Sequence, residues 1–168
     1  MIQLHAQPYD ISACGFYFED AEGYEAKAKN NKNDYSEPVE EYEIQFIDGE
    51  DIDCALAKAW NVNQANFAAF LEAANTWDED DKLRYIIAVG ECGFNHEQVA
   101  DDPSSIDMTV YELSSIKELA EQFVEEGLFG EIPESLQFYI DYDAIARDLS
   151  MDYSEVTIAG TNFIFQCA

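Results

Sequence analysis

Positive charge is what this sequence lacks most. Its 168 residues hold 8 Lys+Arg against 36 Asp+Glu, a formal net charge of −28 at pH 7. Nucleic acid and anionic membrane both repel a chain of that sign and size, so neither is expected as a direct partner. The partner should be basic, or should normally hold something acidic. Histidine is nearly absent, and neither His5 nor His96 has a triad context. There is no GxSxG elbow and no Walker loop. Among 36 acids some pair always stands at a hydrolytic spacing, so that signal carries no weight. The chain is therefore not expected to be an enzyme or to need a cofactor.

Metal and disulfide frameworks are missing as well. The carboxylate clusters 48–53 and 78–81 lack the DxDxDG spacing of a calcium loop. Cys92 and His96 are four apart, but a zinc site needs three or four ligands and no further pair is near. The four cysteines, Cys14, Cys54, Cys92 and Cys167, form no CxxC pair and are too sparse for a disulfide scaffold. They are expected as reduced, mostly buried thiols in a cytoplasmic protein. Residues 1–10 show neither a basic nor an apolar targeting region. The longest apolar runs, 67–71 and 85–89, fall far short of the ~20 residues a membrane span needs.

Apolar material is present in quantity: 48% hydrophobic and 14% aromatic, with 10 Tyr and 11 Phe. That argues against disorder, because disordered chains are poor in such residues. Residues 1–60 look strand-rich at 2–5, 14–18 and 42–47, with a polar tract at 22–41 that reads as a long loop with room for one short helix. Lys27, Lys29 and Lys32 in that tract are the only basic cluster. Tyr9, Tyr17, Tyr24 and Tyr35 are expected as core or half-exposed residues sooner than as a stacking surface.

Residues 51–60 look helical. The stretch 61–103 looks all helical, with Phe67, Phe70, Leu71 and Ala74 on one face, a helix over 81–89, and Asn95 capping a short one. From 104 on the pattern is mixed: a strand at 106–113, a capping box from Ser115 to Glu118, Gly127 as helix stop, Pro133 opening a short helix, a helix at 142–149, and a hairpin turned at 159–161. The fold class expected is α+β: an elongated chain of three small domains, 1–60 strand-rich, 61–103 helical and 104–168 mixed.

The acid is spread evenly. The three segments carry −10, −7 and −11, so no tail accounts for the charge. On the helix from Ser115, Glu118, Glu121, Glu125 and Glu126 recur away from the core face with Lys117 the only base. The like-charge pair Glu121/Glu125 costs roughly 0.2–0.5 kcal/mol where Glu–Lys would contribute as much. Solubility is the plain explanation. Imitation of a polyanion is the sharper one. Duplex DNA carries one charge per ~1.7 Å, so 28 charges match roughly 48 Å, about 14 base pairs. A compact sphere of this length is only ~40 Å across, which favours a rod, and a symmetric dimer would double the imitated length.

Residues 119–130, LAEQFVEEGLFG, then 131–149, with the runs GEIPESLQ (130–137) and YIDYDAIARDL (139–149), resemble the ArdA family of antirestriction proteins. The N-terminal CGFYF (14–18) agrees more loosely. The resemblance implies an inhibitor carried on mobile genetic elements. It implies that the inhibitor occupies the DNA groove of type I restriction-modification enzymes as a dimer joined through its C-terminal domain. Its surface carboxylates would imitate the phosphates of bent DNA. The family's antirestriction motif would fall within 119–136, near the dimer contact. The acids expected to meet the partner are Asp78, Glu79, Asp80, Asp81, Asp101, Asp102, Glu118, Glu121, Glu125, Glu126, Glu131 and Glu134. The expected motif and dimer contact is Leu128, Phe129, Gly130, Ile132 and Pro133, although helix termination and core packing account for these residues more plainly. Rival readings are an acidic decoy or chaperone for another basic DNA-binding protein, a carboxylate-pair enzyme, and salt adaptation of an ordinary protein.

Overall fold

Alternating burial makes residues 3–8 a strand, with Leu4, Ala6 and Pro8 turned inward. In the computed structural model, which describes residues 1–167, this strand β1 (Gln3–Pro8) lies between β2 (Phe16–Phe18) and β3 (Tyr42–Asp48), antiparallel to both. Leu4 faces Phe18 on one side and Phe46 on the other, and Ala6 faces Phe16 and Ile44. The small Ala6 leaves room for rings. Phe16, Phe18, Tyr24, Tyr42 and Phe67 form a cluster with centroids between 4.6 and 6.2 Å apart, the separation at which tilted and edge-on aromatic pairs attract.

Tyr24 comes from α1 (Ala21–Ala28), which Asp20 starts by accepting from the Gly23 amide. The rest of the polar tract is irregular. Asn33 holds it by accepting from the amides of Tyr35 and Glu37.

The helices that follow are α2 (Asp51–Trp60), α3 (Phe67–Thr76), α4 (Glu79–Tyr85) and the single turn α5 (His96–Val99). A second ring cluster joins them. Trp60 stacks on Tyr85 at 4.8 Å, Trp77 and His96 close around the pair, and the Tyr85 hydroxyl lies 2.7 Å from His96 Nδ1. Burial pushes the Tyr85 phenol well above its ordinary pKa. Between α2 and α4, Lys82 Nζ donates to Asp53 Oδ1 at 2.7 Å, and both side chains are buried.

The helix expected over 81–89 is not uniform. It is α-helical to Tyr85 and then winds as a π-turn, Ile86–Glu91. Ile86, Ile87 and Ala88 are buried in succession. A regular α-helix turns one of three consecutive residues away from any single face, and the wider winding avoids that.

Chain contacts divide the molecule into two compact units, Met1–Ile106 and Asp107–Ala168. In the second, β6 (Thr161–Cys167) runs between β4 (Met108–Glu112) and β5 (Ser154–Ile158), again all antiparallel. Ala159 and Gly160 turn the β5–β6 hairpin with φ of 51° and 81°, the left-handed pair that a two-residue turn requires. Helices α6 (Ile116–Glu125) and α8 (Tyr142–Leu149) accompany this sheet, with one turn, α7 (Glu134–Gln137), between them. Leu119, Phe123 and Ile164 are its buried centre, with Tyr111, Leu113, Ile116, Leu149 and Tyr153 packed on them.

The architecture is thus mixed α+β, with two small antiparallel sheets and eight helices among the described residues. None of those helices is long and apolar enough to cross a membrane.

Two local expectations need correction. Pro133 is the N-cap of α7, one position earlier than expected. The four cysteines are not uniformly buried reduced thiols: Cys14 is a free, exposed thiol, Cys54 is free and half-buried, and Cys92 and Cys167 are each disulfide-bonded.

Removing one partner of the buried ion pair strands a charge away from water. Asp53→Ala should cost about 3–5 kcal/mol in urea unfolding, and Asp53→Leu combined with Lys82→Met should recover most of it. If the single change costs no more than an ordinary surface substitution, the pair does not hold α2 on α4.

Candidate functional site

Thirty-two of the 36 carboxylates are exposed; Asp53 is buried, and Asp10, Asp81 and Glu118 are partly covered. Only two of the exposed acids make an ion pair among the described residues: Asp80 with Arg84 at 2.9 Å and Asp143 with Lys117 at 2.9 Å. The hydrogen bond that Lys117 donates to Asp143 also holds its ammonium above its ordinary pKa. Most of the acid therefore faces water with no counter-charge.

Local backbone chemistry explains where many of these acids sit. Asp20, Asp78 and Asp141 are N-caps, each accepting an amide three residues on. Glu22, Asp51, Glu97, Glu134 and Asp143 lie in first helical turns, where the positive end of the helix favours them. The end of α6 breaks the pattern. Helices α1, α2, α4 and α8 carry a base in their last turn, but α6 carries none and ends in Glu125 and Glu126.

The structure places the acids singled out in the sequence in three settings. Asp78 caps α4, and Glu79, Asp80 and Asp81 fill its first turn. Exposed Asp102, beside exposed Asp101, lies close enough to act on Asp81, and it accepts the Ser104 hydroxyl at 2.6 Å. Burial raises the Asp81 pKa, and the charges of Asp78, Asp80 and Asp102 raise it further. Glu118 is not a free surface charge. Its carboxylate accepts the amide of Ser114, the residue before the N-cap, at 2.7 Å, while Ser115 Oγ accepts the Glu118 amide, so it is spent on closing the start of α6, one residue off the standard capping box. Exposed Glu155, which sequence reasoning passed over, accepts the next free amide, Ile116, at 2.8 Å. Glu121, Glu125, Glu131 and Glu134 are exposed, and exposed Glu126 accepts from the Gln122 side chain.

The motif residues divide. Gly127, at φ 74°, closes α6: its amide bonds to Val124 O and that of Leu128 to Phe123 O, the paired Schellman bonds. Leu128 and Phe129 are not core residues; they are 59% and 55% exposed. Gly130 is exposed at φ 89°, Ile132 is half-buried, and Pro133 is exposed.

Sequence reasoning missed the apolar exposure that continues past them: Leu136 at 53%, Phe138 at 95% and Tyr139 at 83%. Of the 14 acids of residues 1–60, omitted from the site although their segment carries −10, all but Asp10 and Asp53 are as exposed as those chosen. Tyr24 alone of the four early tyrosines is core; Tyr9, Tyr17 and Tyr35 are exposed. Among the described residues no group of three or more His, Cys, Asp or Glu could hold a metal ion.

Such a surface can do one thing well: present many carboxylates to a basic partner. A family model described as "Antirestriction protein (ArdA)" matches residues 14–163. A search of the curated proteins gives no match.

Asp81 gives a test of the crowding. Its pKa is raised on folding, so its contribution favours the folded state below the unfolded carboxylate range and is lost as pH rises through the folded value. Asp81→Asn should therefore raise stability near neutral pH, by about 0.5 kcal/mol. That gain should shrink as pH falls toward about 4. Thermal melts of both proteins across that range check it, and a gain that does not depend on pH would rule out charge crowding as its cause.

Proposed function

Because the chain belongs to the ArdA family of antirestriction proteins, whose members are inhibitors and not enzymes, we propose that it inhibits type I restriction-modification enzymes by occupying the groove that normally holds DNA. Its carboxylates stand where phosphates would and meet the lysines and arginines of that groove. The observation that supports this is the near-complete exposure of the acid, 32 carboxylates of 36, with only two of the exposed ones ion-paired among the described residues. Carboxylates from all three segments 1–60, 61–103 and 104–168 contribute. The mechanism is competition in the cytoplasm, without bond making.

The proposal includes a homodimer held by the apolar stretch Leu128, Phe129, Gly130, Ile132 and Pro133. Two side chains of that stretch, more than half exposed, are otherwise left in water. A symmetric pair would bury the same patch on both copies.

Energy spread over many charge-assisted contacts makes each one expendable. Glu121→Gln should change inhibition by no more than about fivefold, since one exposed contact contributes at most ~1 kcal/mol. A tenfold loss from that change alone would contradict a distributed surface.

The central test is a competition titration. A type I methyltransferase core is bound to fluorescent duplex DNA, and the protein is added at low and at high salt. Stoichiometric displacement at low salt, fading as salt rises, is expected. Absence of displacement by the folded protein would overturn the target and favour a decoy for another basic DNA-binding protein.

A further inference from the structure

The Tyr9 amide donates to Glu41 O at 3.2 Å, so in the β1–β3 register Gln7–Glu43 and His5–Gln45 are the hydrogen-bonded pairs. The residues between them, Tyr42, Ile44 and Phe46, therefore turn their amides and carbonyls away from β1, toward the outer edge of the first sheet. At the start of β3 the Gln64 side chain meets this edge as a neighbouring strand would. Its oxygen accepts the Tyr42 amide at 3.0 Å, and its nitrogen donates to Glu40 O at 2.8 Å. Beyond it, the outward amides and carbonyls of Ile44 and Phe46 have no partner among the described residues. Ile44 is only 7% exposed, and buried backbone groups are nearly always paired. The opposite edge of the sheet is short and partly closed: β2 has three residues, and its outward Tyr17 carbonyl accepts from Lys27 Nζ at 2.7 Å.

Beside the open part of this edge lies a groove of about 440 Å³, within the size range of ligand pockets. Ile44 and Phe46 line it from β3, Cys54, Ala57 and Lys58 from α2, and Val62 from the chain just past α2. A groove between an edge strand and a helix suits an extended chain: the edge supplies main-chain hydrogen bonds, and alternate side chains settle toward the helix. Charge selects which chain. Glu40, Glu41, Glu43, Asp48, Glu50 and Asp51 are all exposed, none is ion-paired among the described residues, and residues 40–51 hold no base. Lys58 is the one base that lines the groove. A second copy of β3 would set acid opposite acid, which disfavours self-pairing. An incoming strand with basic residues at alternate positions would set them beside Glu43 and leave its other side chains, if small and apolar, for Ala57 and Val62.

We propose that the outer edge of β3 receives an extended basic segment of the partner protein as a fourth strand of the first sheet, a directional main-chain contact within an otherwise diffuse acidic surface. That the segment belongs to a restriction-modification enzyme rests on the inhibitor reading above; the chemistry of the edge does not.

The test uses the full chain and a short peptide. An acetylated, amidated hexapeptide of alternating lysine and valine is titrated into isotope-labelled protein and followed by NMR. Its counterparts carry glutamate in place of lysine, or N-methyl groups on the backbone amides. Shifts centred on Ile44, Phe46, Ala57 and Val62 are expected with the lysine peptide. Hydrogen exchange at the Ile44 and Phe46 amides should slow by about tenfold or more at saturation, because a new bond must open before they exchange. The glutamate and N-methylated peptides should produce neither effect. Glu43→Lys, at an exposed position whose backbone alone serves the ladder, should weaken the lysine peptide by about threefold or more. Peptide should also slow alkylation of Cys54 in the groove while leaving the exposed Cys14 unchanged.

Unchanged exchange at Ile44 and Phe46, equal binding of the N-methylated peptide, or shifts scattered over the whole acidic surface would overturn the proposal. So would edge signals that move with protein concentration and not with peptide, since a second copy of the chain would then pair with β3. The DNA-competition titration is run beside it on the same protein. Displacement of DNA without protection of the two amides by the lysine peptide sinks the edge and leaves the inhibitor reading standing. Protection without displacement does the reverse.

Discussion

A net charge of −28 on 168 residues must be held together by interactions that are not ionic. Self-repulsion at that level favours expansion at every point of the surface. The ion pairs that offset it are few: three among the described residues, of which only Lys82–Asp53 is shielded from solvent. Exposed pairs contribute little. The opposing force comes from rings. Phe16, Phe18, Tyr24, Tyr42 and Phe67 clamp α1 and α3 to the first sheet, and Trp60, Phe70, Trp77 and Tyr85 clamp the helices to one another. Phe67 lies beyond residue 60 and packs on Phe18 and Tyr24, so the first sheet and α3 share one core. Aromatic side chains bury a large area each, which explains why an acidic chain of this length carries 14% of them.

The second constraint is where acid does least harm. At helix N-termini a carboxylate is attracted by free amides, and this chain uses that refuge repeatedly, at Asp20, Asp78, Glu118 and Asp141. These groups carry negative charge outward while satisfying the backbone, so one residue serves both fold and surface. The distinction matters for function. A carboxylate that already accepts amides has fewer lone pairs to offer a partner, whereas Glu121, Glu125, Glu131 and Glu134 have all of theirs. The strength of the surface should therefore be uneven, weaker at the caps and stronger at the helix flanks and the α6–α8 connection.

What the sequence made legible was local. The Ser115 cap, the Gly127 stop, the Asn95 cap and the hairpin at Ala159–Gly160 each depend on residues within a few positions, and each stands where the pattern put it. The face of Phe67, Phe70, Leu71 and Ala74 is buried as its spacing implies. What was hidden depends on partners far along the chain. Nothing local marks Lys82 as buried, because its partner Asp53, 29 residues earlier, is invisible to a window. The π-turn at 86–91 accompanies the successive burial of Ile86, Ile87 and Ala88, which no helical period encodes. For the candidate site, composition gave exposed acid as a general property but could not separate Glu118, committed to a cap, from Glu121 three residues on. It also could not show that Phe138 and Tyr139 stand in water, because apolar residues without a period read as ordinary core.

The same charge governs stability and binding with opposite signs, and salt separates them. Screening shortens electrostatic reach from about 10 Å at 0.1 M to about 3 Å at 1 M. Within the folded chain the screened interactions are mostly repulsive, because acids outnumber bases 36 to 8. Added salt should therefore raise the thermal midpoint. Between the chain and a basic partner the screened interactions are attractive, so the same salt should weaken the complex. Melting curves followed by circular dichroism between 0.05 and 1 M sodium chloride check the first arm. A midpoint that rises while inhibition falls shows that inhibition is lost from a folded and more stable protein, so the loss belongs to the interface. A midpoint that falls with inhibition would mean that attractive pairs such as Lys117–Asp143 contribute more to the fold than the repulsion among the unpaired acids takes away.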